Sequence, residues 1–539
     1  MIPASLLALV LTVAPPAPSP SPLAAAASPP AAPKSYTIAY EFSSPEPATH
    51  HGAVRVRVAG RDADSVVFQL PTWYPGRYAI YNFAANVMDE EARCGDAVVP
   101  AVKRDKTTWV VRCARARPVT FAFRVYWDNL SGSTSQIDST HVNLNPGNVF
   151  PYVVGHKPDP VTVRYQGPAG WHIINGEAGQ EGVVDSAGGR TYKFRNYDLM
   201  IDAPTEISAA FTVDSFHVGK TLYRVMLHTD PDPGALRQRL VADVERIVRA
   251  QVAMWGEQPM PSYTFMVHFL KGNGGDGMEH LASTHISQPV ALADLADSNA
   301  YLPRLGVFSH EFFHTWNMKR LRARELGPWD YTRENYTTTL WIGEGITNYY
   351  GVRHLLRAGV WDSTRYLQRT AAAVGQLQGR PARRWMSAQE SSLSAWLFDG
   401  VPLRQKAQLD SATISYYNKG EVLGWLLDLD LRARTQGRKS LDDVMRLMWK
   451  RFWLTPATTY YLQGRGYTDA DFLRAVNDAS GADYTDFFRR YVSGTEELPY
   501  EAVLARVGLR LGQEGGKYTL SLDPAAPGAA LGRAWAAGK

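Results

Sequence analysis

Five consecutive residues, His310-Glu311-Phe312-Phe313-His314, constrain this chain more than any other stretch. Apolar neighbours flank them, Val307 and Phe308 ahead and Trp316 and Met318 behind. If the run is helical, histidines four apart lie side by side on one face. Two neutral imidazoles so placed can hold a zinc ion, and Glu311 stands where it can take a proton from a water that the ion activates. A catalytic zinc needs three protein ligands and one open position, so a third ligand must come from elsewhere. Downstream, Glu325, Glu334 and Glu344 are the candidates. Glu344 is favoured because Gly343 and Gly345 flank it at the start of an apolar helical stretch, Trp341–Tyr350, whereas Glu334 lies in polar surroundings. Asn348, about one turn further on, is a candidate to orient a ligand.

Length and composition bound the rest. The 539 residues suggest roughly three to five units. With 45% apolar and 20% charged residues the chain can bury a sizeable core. Its net charge of +5 comes without a lysine/arginine block, which speaks against nucleic acid as a partner. Leu6–Val13 followed by Ala24–Ala27 reads as an export signal ahead of a Pro/Ala-rich leader, too short to span a bilayer. Later segments hold no long apolar run, so the expectation is an exported protein, periplasmic or secreted, without a membrane span after signal cleavage. Cys94 and Cys113 lie in segments that look like neighbouring strands, and a bridge between them would staple a hairpin edge in an oxidising compartment.

Along the chain, residues 1–34 are signal and leader. Residues 35–218 alternate apolar and polar side chains in short runs such as His51–Gly60, Ser65–Leu70 and Val119–Trp127, which predicts a β-sandwich-like domain. Within it, Asp198, Asp202 and Glu206 read as a solvated loop, since no histidine is close in sequence. Residues 219–359 bring a strand, a long helix, another strand, a glycine-rich turn and the histidine pair. Residues 360–500 carry helical apolar spacing, with Ser440 and Thr468 as caps, and 501–539 form a tail. The expected class is multidomain α+β.

Five motifs in this order, Trp73-Tyr74-Pro75-Gly76, Gly277-Met278-Glu279-His280, the histidine pair, Trp341-Ile342-Gly343-Glu344-Gly345 and Tyr416-Tyr417-Asn418-Lys419-Gly420, resemble the glycyl-aminopeptidase family of zinc metallopeptidases. The likeness runs from about residue 35 to 510. It implies a thermolysin-like catalytic domain and one zinc ion held by His310, His314 and Glu344. In the larger related aminopeptidase group the third ligand follows the second histidine by 19 positions. Here Arg333 stands there, so the ligand must come from the later motif. The resemblance also implies that Gly277, Met278, Glu279 and His280 bind substrate, with Glu279 holding the free amine, although relatives have asparagine where His280 stands. Tyr417 is implied as the group that steadies the tetrahedral intermediate, with Tyr416 its rival. Family members commonly add a PDZ domain after the helical region, for which residues 501–539 are too few.

These readings converge on a zinc aminopeptidase that cleaves the first peptide bond of peptides with a free N-terminus, preferring glycine or alanine. Its alternatives are a zinc endopeptidase with the same chemistry and an inactive peptide-binding protein.

Overall fold

In the strand His51–Ala59, Val54, Val56 and Val58 are buried while Ala53, Arg55 and Arg57 face solvent, the two-residue period of a sheet wet on one side. The same alternation in Val119–Tyr126 buries Val119, Phe121, Phe123 and Val125. Both strands belong to an eight-stranded sheet, and two four-stranded sheets complete the N-terminal region. Phe68, from one of the smaller sheets, stacks on Phe121 with ring centroids 5.0 Å apart. This computed structural model describes residues 34–272, 275–399, 409, 411–455 and 464–539. The export-signal reading on Leu6–Ala27 lies outside the described residues. From Ser35 onward the chain packs as one unit.

Two expectations for this region are corrected. Cys94 and Cys113 do form a disulfide, but it does not staple a hairpin. Cys94 ends the strand Val87–Cys94, which pairs with Ala97–Val99 in the large sheet. Cys113 follows Thr108–Arg112, which pairs with Ala101–Lys103 in a smaller one, so the bridge joins two sheets. The segment with Asp198, Asp202 and Glu206 is not a solvated loop. Tyr197–Ile201 is a short helix capped by Asn196, all five of its residues are buried, and all three carboxylates are buried against partners distant in sequence. Two strands of this region matter below: β1, His141–Leu144, and β2, Thr205–Ser208, which pair antiparallel.

A five-stranded sheet follows. Its strands are β3 (Thr212–Val218), β4 (Thr221–Thr229), β5 (Ser262–Phe269), β6 (Asp276–Glu279) and β7 (Ser283–Gln288), in the spatial order β3-β4-β5-β7-β6. β4, β5 and β7 run parallel, and every residue of β5 is buried, as expected for a parallel strand covered on both faces. β3 pairs with β4 along its whole length, so a boundary at 218 splits this sheet; the strand expected to close the first domain is an edge of the second. Helix α1, Ala235–Trp255, makes the crossover from β4 to β5.

The histidine pair lies on α2, Leu305–Phe313, with His314 as its C-cap. Phe312 faces the sheet, its ring 5.0 Å from Tyr263 and 5.7 Å from Phe265. A π-helical turn, Trp341–Ile346, leads into α3, Thr347–Arg357, and α4 spans Tyr416–Arg434. Ser440 and Thr468 cap helices as expected, each with a capping box. The tail forms a helix, a hairpin and a last helix, and it packs on the helical body: Trp535 is fully buried and its carbonyl accepts a bond from Arg353. Among the described residues no helix is long and apolar enough to cross a membrane.

Candidate metal and catalytic site

Helical spacing brings the two imidazoles together as read from the sequence. His310 Nε2 and His314 Nε2 are 2.9 Å apart, with ring planes at 83°. Glu344 reaches both, its Oε2 lying 3.4 Å from His310 Nε2 and 3.2 Å from His314 Nε2. Of the three downstream candidates it is the one that joins the pair. Glu325 instead accepts from Arg324 and Thr337.

The donor set fits zinc. A tetrahedral ion with bonds of about 2.0 Å places its ligand atoms about 3.3 Å from one another, close to the separations here. His314 Nδ1–H donates to the Asn317 carbonyl at 2.7 Å, which turns Nε2 toward Glu344. Burial disfavours charge on both partners. Even so, Glu344 lifts the His314 imidazole to about 9, and the two histidines hold Glu344 down at about 2. The surroundings therefore favour a positive charge at the point where the three side chains meet.

Glycines set how closely the elements approach. A Cβ on Gly345 would lie 2.4 Å from Gly420 Cα, so the turn carrying Glu344 rests directly on α4. The two motifs that look unrelated in sequence thus form one contact. Asn317 ties the same turn to α2, its Nδ2 donating to the Ile342 carbonyl and to Thr347 Oγ1. The orienting asparagine is therefore Asn317, three residues past His314, rather than Asn348.

Glu311 is 5% exposed, and its Oε2 has no hydrogen-bond partner. Burial pushes its carboxyl well above the usual range, with Glu279 and Glu344 adding to the effect. Glu279, at the end of edge strand β6, comes within 4.8 Å of Glu311 and His314. Gly277 is where β6 passes the base: a Cβ there would lie 2.2 Å from Glu311 Oε1. Gly76, at φ 101°, packs the Trp73–Gly76 turn against Met278 and Glu279. That turn belongs to the N-terminal sheets and is pinned by Trp73 Nε1–H donating to the Asp330 carbonyl.

His280 is turned to other partners. It is fully buried, with Nδ1 3.4 Å from Asp202 and its ring against Tyr74. Asp202 also accepts from Lys319 at 2.7 Å and from the Leu281 amide, which anchors the turn after Glu279. The two tyrosines separate cleanly. Tyr416 donates to Asp399 at 2.9 Å, whereas the half-buried Tyr417 lies with its ring 6.2 Å from that of His310. Trp316 and Tyr349 are core residues: Trp316 stacks on Trp255 and Tyr349 donates to Asp428. Sequence reading missed Tyr78, whose hydroxyl lies 3.4 Å from Glu344 Oε1. It stands four residues past Tyr74, the one signal that could have found it.

Residues 39–209 match the peptidase M61 N-terminal domain, and residues 304–423 match the M61 glycyl aminopeptidases. The chain belongs to the M61 glycyl aminopeptidase family. A solved aminopeptidase N family protein from Idiomarina loihiensis is 25% identical, with 89% of this chain and 79% of that chain covered and a TM-score of 0.79. An M1 zinc metallopeptidase from Deinococcus radiodurans is 15% identical, covering 86% of this chain and 96% of its own, at a TM-score of 0.49. No curated protein matches the chain. Family and buried histidine–glutamate cluster together make this a zinc-dependent aminopeptidase. Besides the histidine pair, His141, Glu206, His228 and His268 form another candidate zinc-binding group.

Proposed function

We propose that the protein is an exported aminopeptidase that removes a small first residue, glycine or alanine, with its catalytic zinc held by His310, His314 and Glu344. One observation carries the reading: a second buried carboxylate, Glu279, stands within 4.8 Å of Glu311 and His314. An α-ammonium needs a fixed counter-charge, and one this close to the base leaves room for a single residue between the amine and the reacting carbonyl. Beside Glu279 lies a cavity of about 20 Å³ walled by Trp73, Tyr78 and Met318. Its small size favours a hydrogen or a methyl there.

Zinc, when bound, acts as a Lewis acid on the scissile carbonyl and on the attacking water. Glu311 takes the proton of that water at its free oxygen and returns it to the leaving amine. Tyr417 donates its hydroxyl to the developing oxyanion, a part that Tyr416 is held from by Asp399. Glu279 fixes the substrate's N-terminus. Gly277, Met278 and His280 act through Glu279 and Glu311, as close packing and as the anchor on Asp202. Export is supported by the Cys94–Cys113 disulfide.

Hydrolysis of a glycyl amide and of its N-acetylated form tests the reading. Acetylation should abolish turnover, and Glu279→Gln should lower kcat/KM on the free amine by about 10²-fold, as expected for one side of a desolvated charge pair. Retained cleavage of the acetylated substrate would make the protein an endopeptidase.

A further inference from the structure

Between the N-terminal sheets and the catalytic sheet lies a group of ligand-type side chains that peptide hydrolysis does not use. His141 on β1, Glu206 on β2, His228 on β4 and His268 on β5 come from four strands of two sheets, and none is more than 3% exposed. Glu206 Oε1 lies 2.9 Å from His141 Nδ1 and 3.1 Å from His228 Nδ1, and Oε2 lies 3.2 Å from His268 Nε2. The three rings surround one carboxylate, with centroids 4.8–5.8 Å apart.

Proton placement makes the arrangement informative. Gln136 donates through Nε2 to Asp128, so its Oε1, 3.1 Å from His141 Nε2, accepts the proton of that nitrogen. In neutral His141 the Nδ1 lone pair then faces a carboxylate oxygen at 2.9 Å, two electron-rich atoms in contact where water is excluded. A ligating histidine is held in this way, by an outer acceptor on its other nitrogen. Asn143 Nδ2 donates to Glu206 Oε2 at 3.0 Å and steadies the carboxylate likewise. His268 is fully buried, and apart from the 3.2 Å approach of Nε2 to Glu206 Oε2, which is not aligned as a hydrogen bond, neither of its nitrogens has a partner. A proton on His141 relieves one of these contacts and leaves His268 orphaned. A cation among the four relieves them all.

We propose that His141, Glu206, His228 and His268 bind a second zinc ion, separate from the catalytic one, which joins the N-terminal β region to the catalytic sheet. Three imidazole nitrogens and one carboxylate oxygen suit zinc rather than magnesium or calcium. The 2.9–3.2 Å nitrogen–oxygen separations, two to Glu206 Oε1 and one to Oε2, approach the about 3.3 Å edges of a zinc tetrahedron. Four protein ligands with no access from solvent close the coordination shell, so this ion is structural and its binding adds to the stability of the fold.

Metal analysis of the untagged full-length chain, purified with zinc sulfate present, tests this. The expected content is two zinc ions per chain, falling to one in the His310→Ala/His314→Ala double variant and to one in His268→Ala. Anomalous diffraction at the zinc edge on crystals of the unmodified protein gives the same answer without relying on a variant that folds, through a peak among the three imidazoles. A single zinc per chain that is lost with His310 and His314, and no anomalous peak beside Glu206, would overturn the proposal and leave a proton-linked network in its place.

Discussion

The His310–His314–Glu344 group takes its ligands from one helix and from the turn that leads into another, whereas His141, Glu206, His228 and His268 come from four strands. In the helical group one ligand is partly open, the His310 side chain being 14% exposed, and an unpartnered carboxylate stands alongside on Glu311. In the strand group every ligand is sealed, and each oxygen of Glu206 already faces at least one nitrogen. Reaction at a metal needs a free coordination position and a base beside it, and only the helical group has both. The same residue types therefore do chemistry in one place and hold two sheets together in the other. The difference lies in what surrounds the ligands.

The sharpest way to break this comparison is Glu311→Gln, which keeps shape and removes the base. Turnover of a glycyl amide should fall by about 10⁴-fold, the upper end for a lost general base, while zinc content stays unchanged. Loss of zinc along with activity would make Glu311 a ligand and erase the distinction. Tyr417→Phe is the next largest effect. It should cost about 10²-fold in kcat with little change in KM, as for a single oxyanion donor, and Tyr416→Phe should leave kcat nearly intact. The reverse ranking would hand the role to Tyr416, against its bond to Asp399.

What could be read beforehand follows the same divide. His310 and His314 are legible because a helix turns a spacing of four into proximity, and Glu344 because its glycine-flanked setting marks a close approach. Gly345 indeed rests on Gly420. The strand group is illegible for the opposite reason. Glu206 is 65 residues from His141 and 22 from His228, and sheet pairing, which no local pattern encodes, brings them together. Judging Asp198, Asp202 and Glu206 by their sequence neighbours therefore made a solvated loop of three buried carboxylates. The cysteine pairing was readable while the sheets it joins were not, since alternation identifies strands without saying which sheet takes them. Tyr416 and Tyr417 could not be told apart because adjacent residues on a helix point in different directions, and only the position of Asp399 decides between them.

Gly345→Ala probes how the helical group is assembled. The added methyl would meet Gly420 Cα at 2.4 Å and the Tyr416 carbonyl at 2.7 Å, both backbone atoms that cannot swing aside. The turn carrying Glu344 and the helix carrying Tyr417 must separate, at a cost of about 2 kcal/mol in stability by the usual scale of overpacking. Because Glu344 rides on that turn, its oxygen moves away from His310 and His314, so catalytic zinc should be lost more readily to a chelator than in the unmodified protein. The strand group has no part in this contact and should keep its ion through the same chelation. Competitive zinc release followed by metal analysis separates the outcomes. Preferential loss of one ion sharpens the contrast between the two groups, whereas equal loss of both would mean that they are coupled through the fold and that the strand-built ion depends on the helices after all.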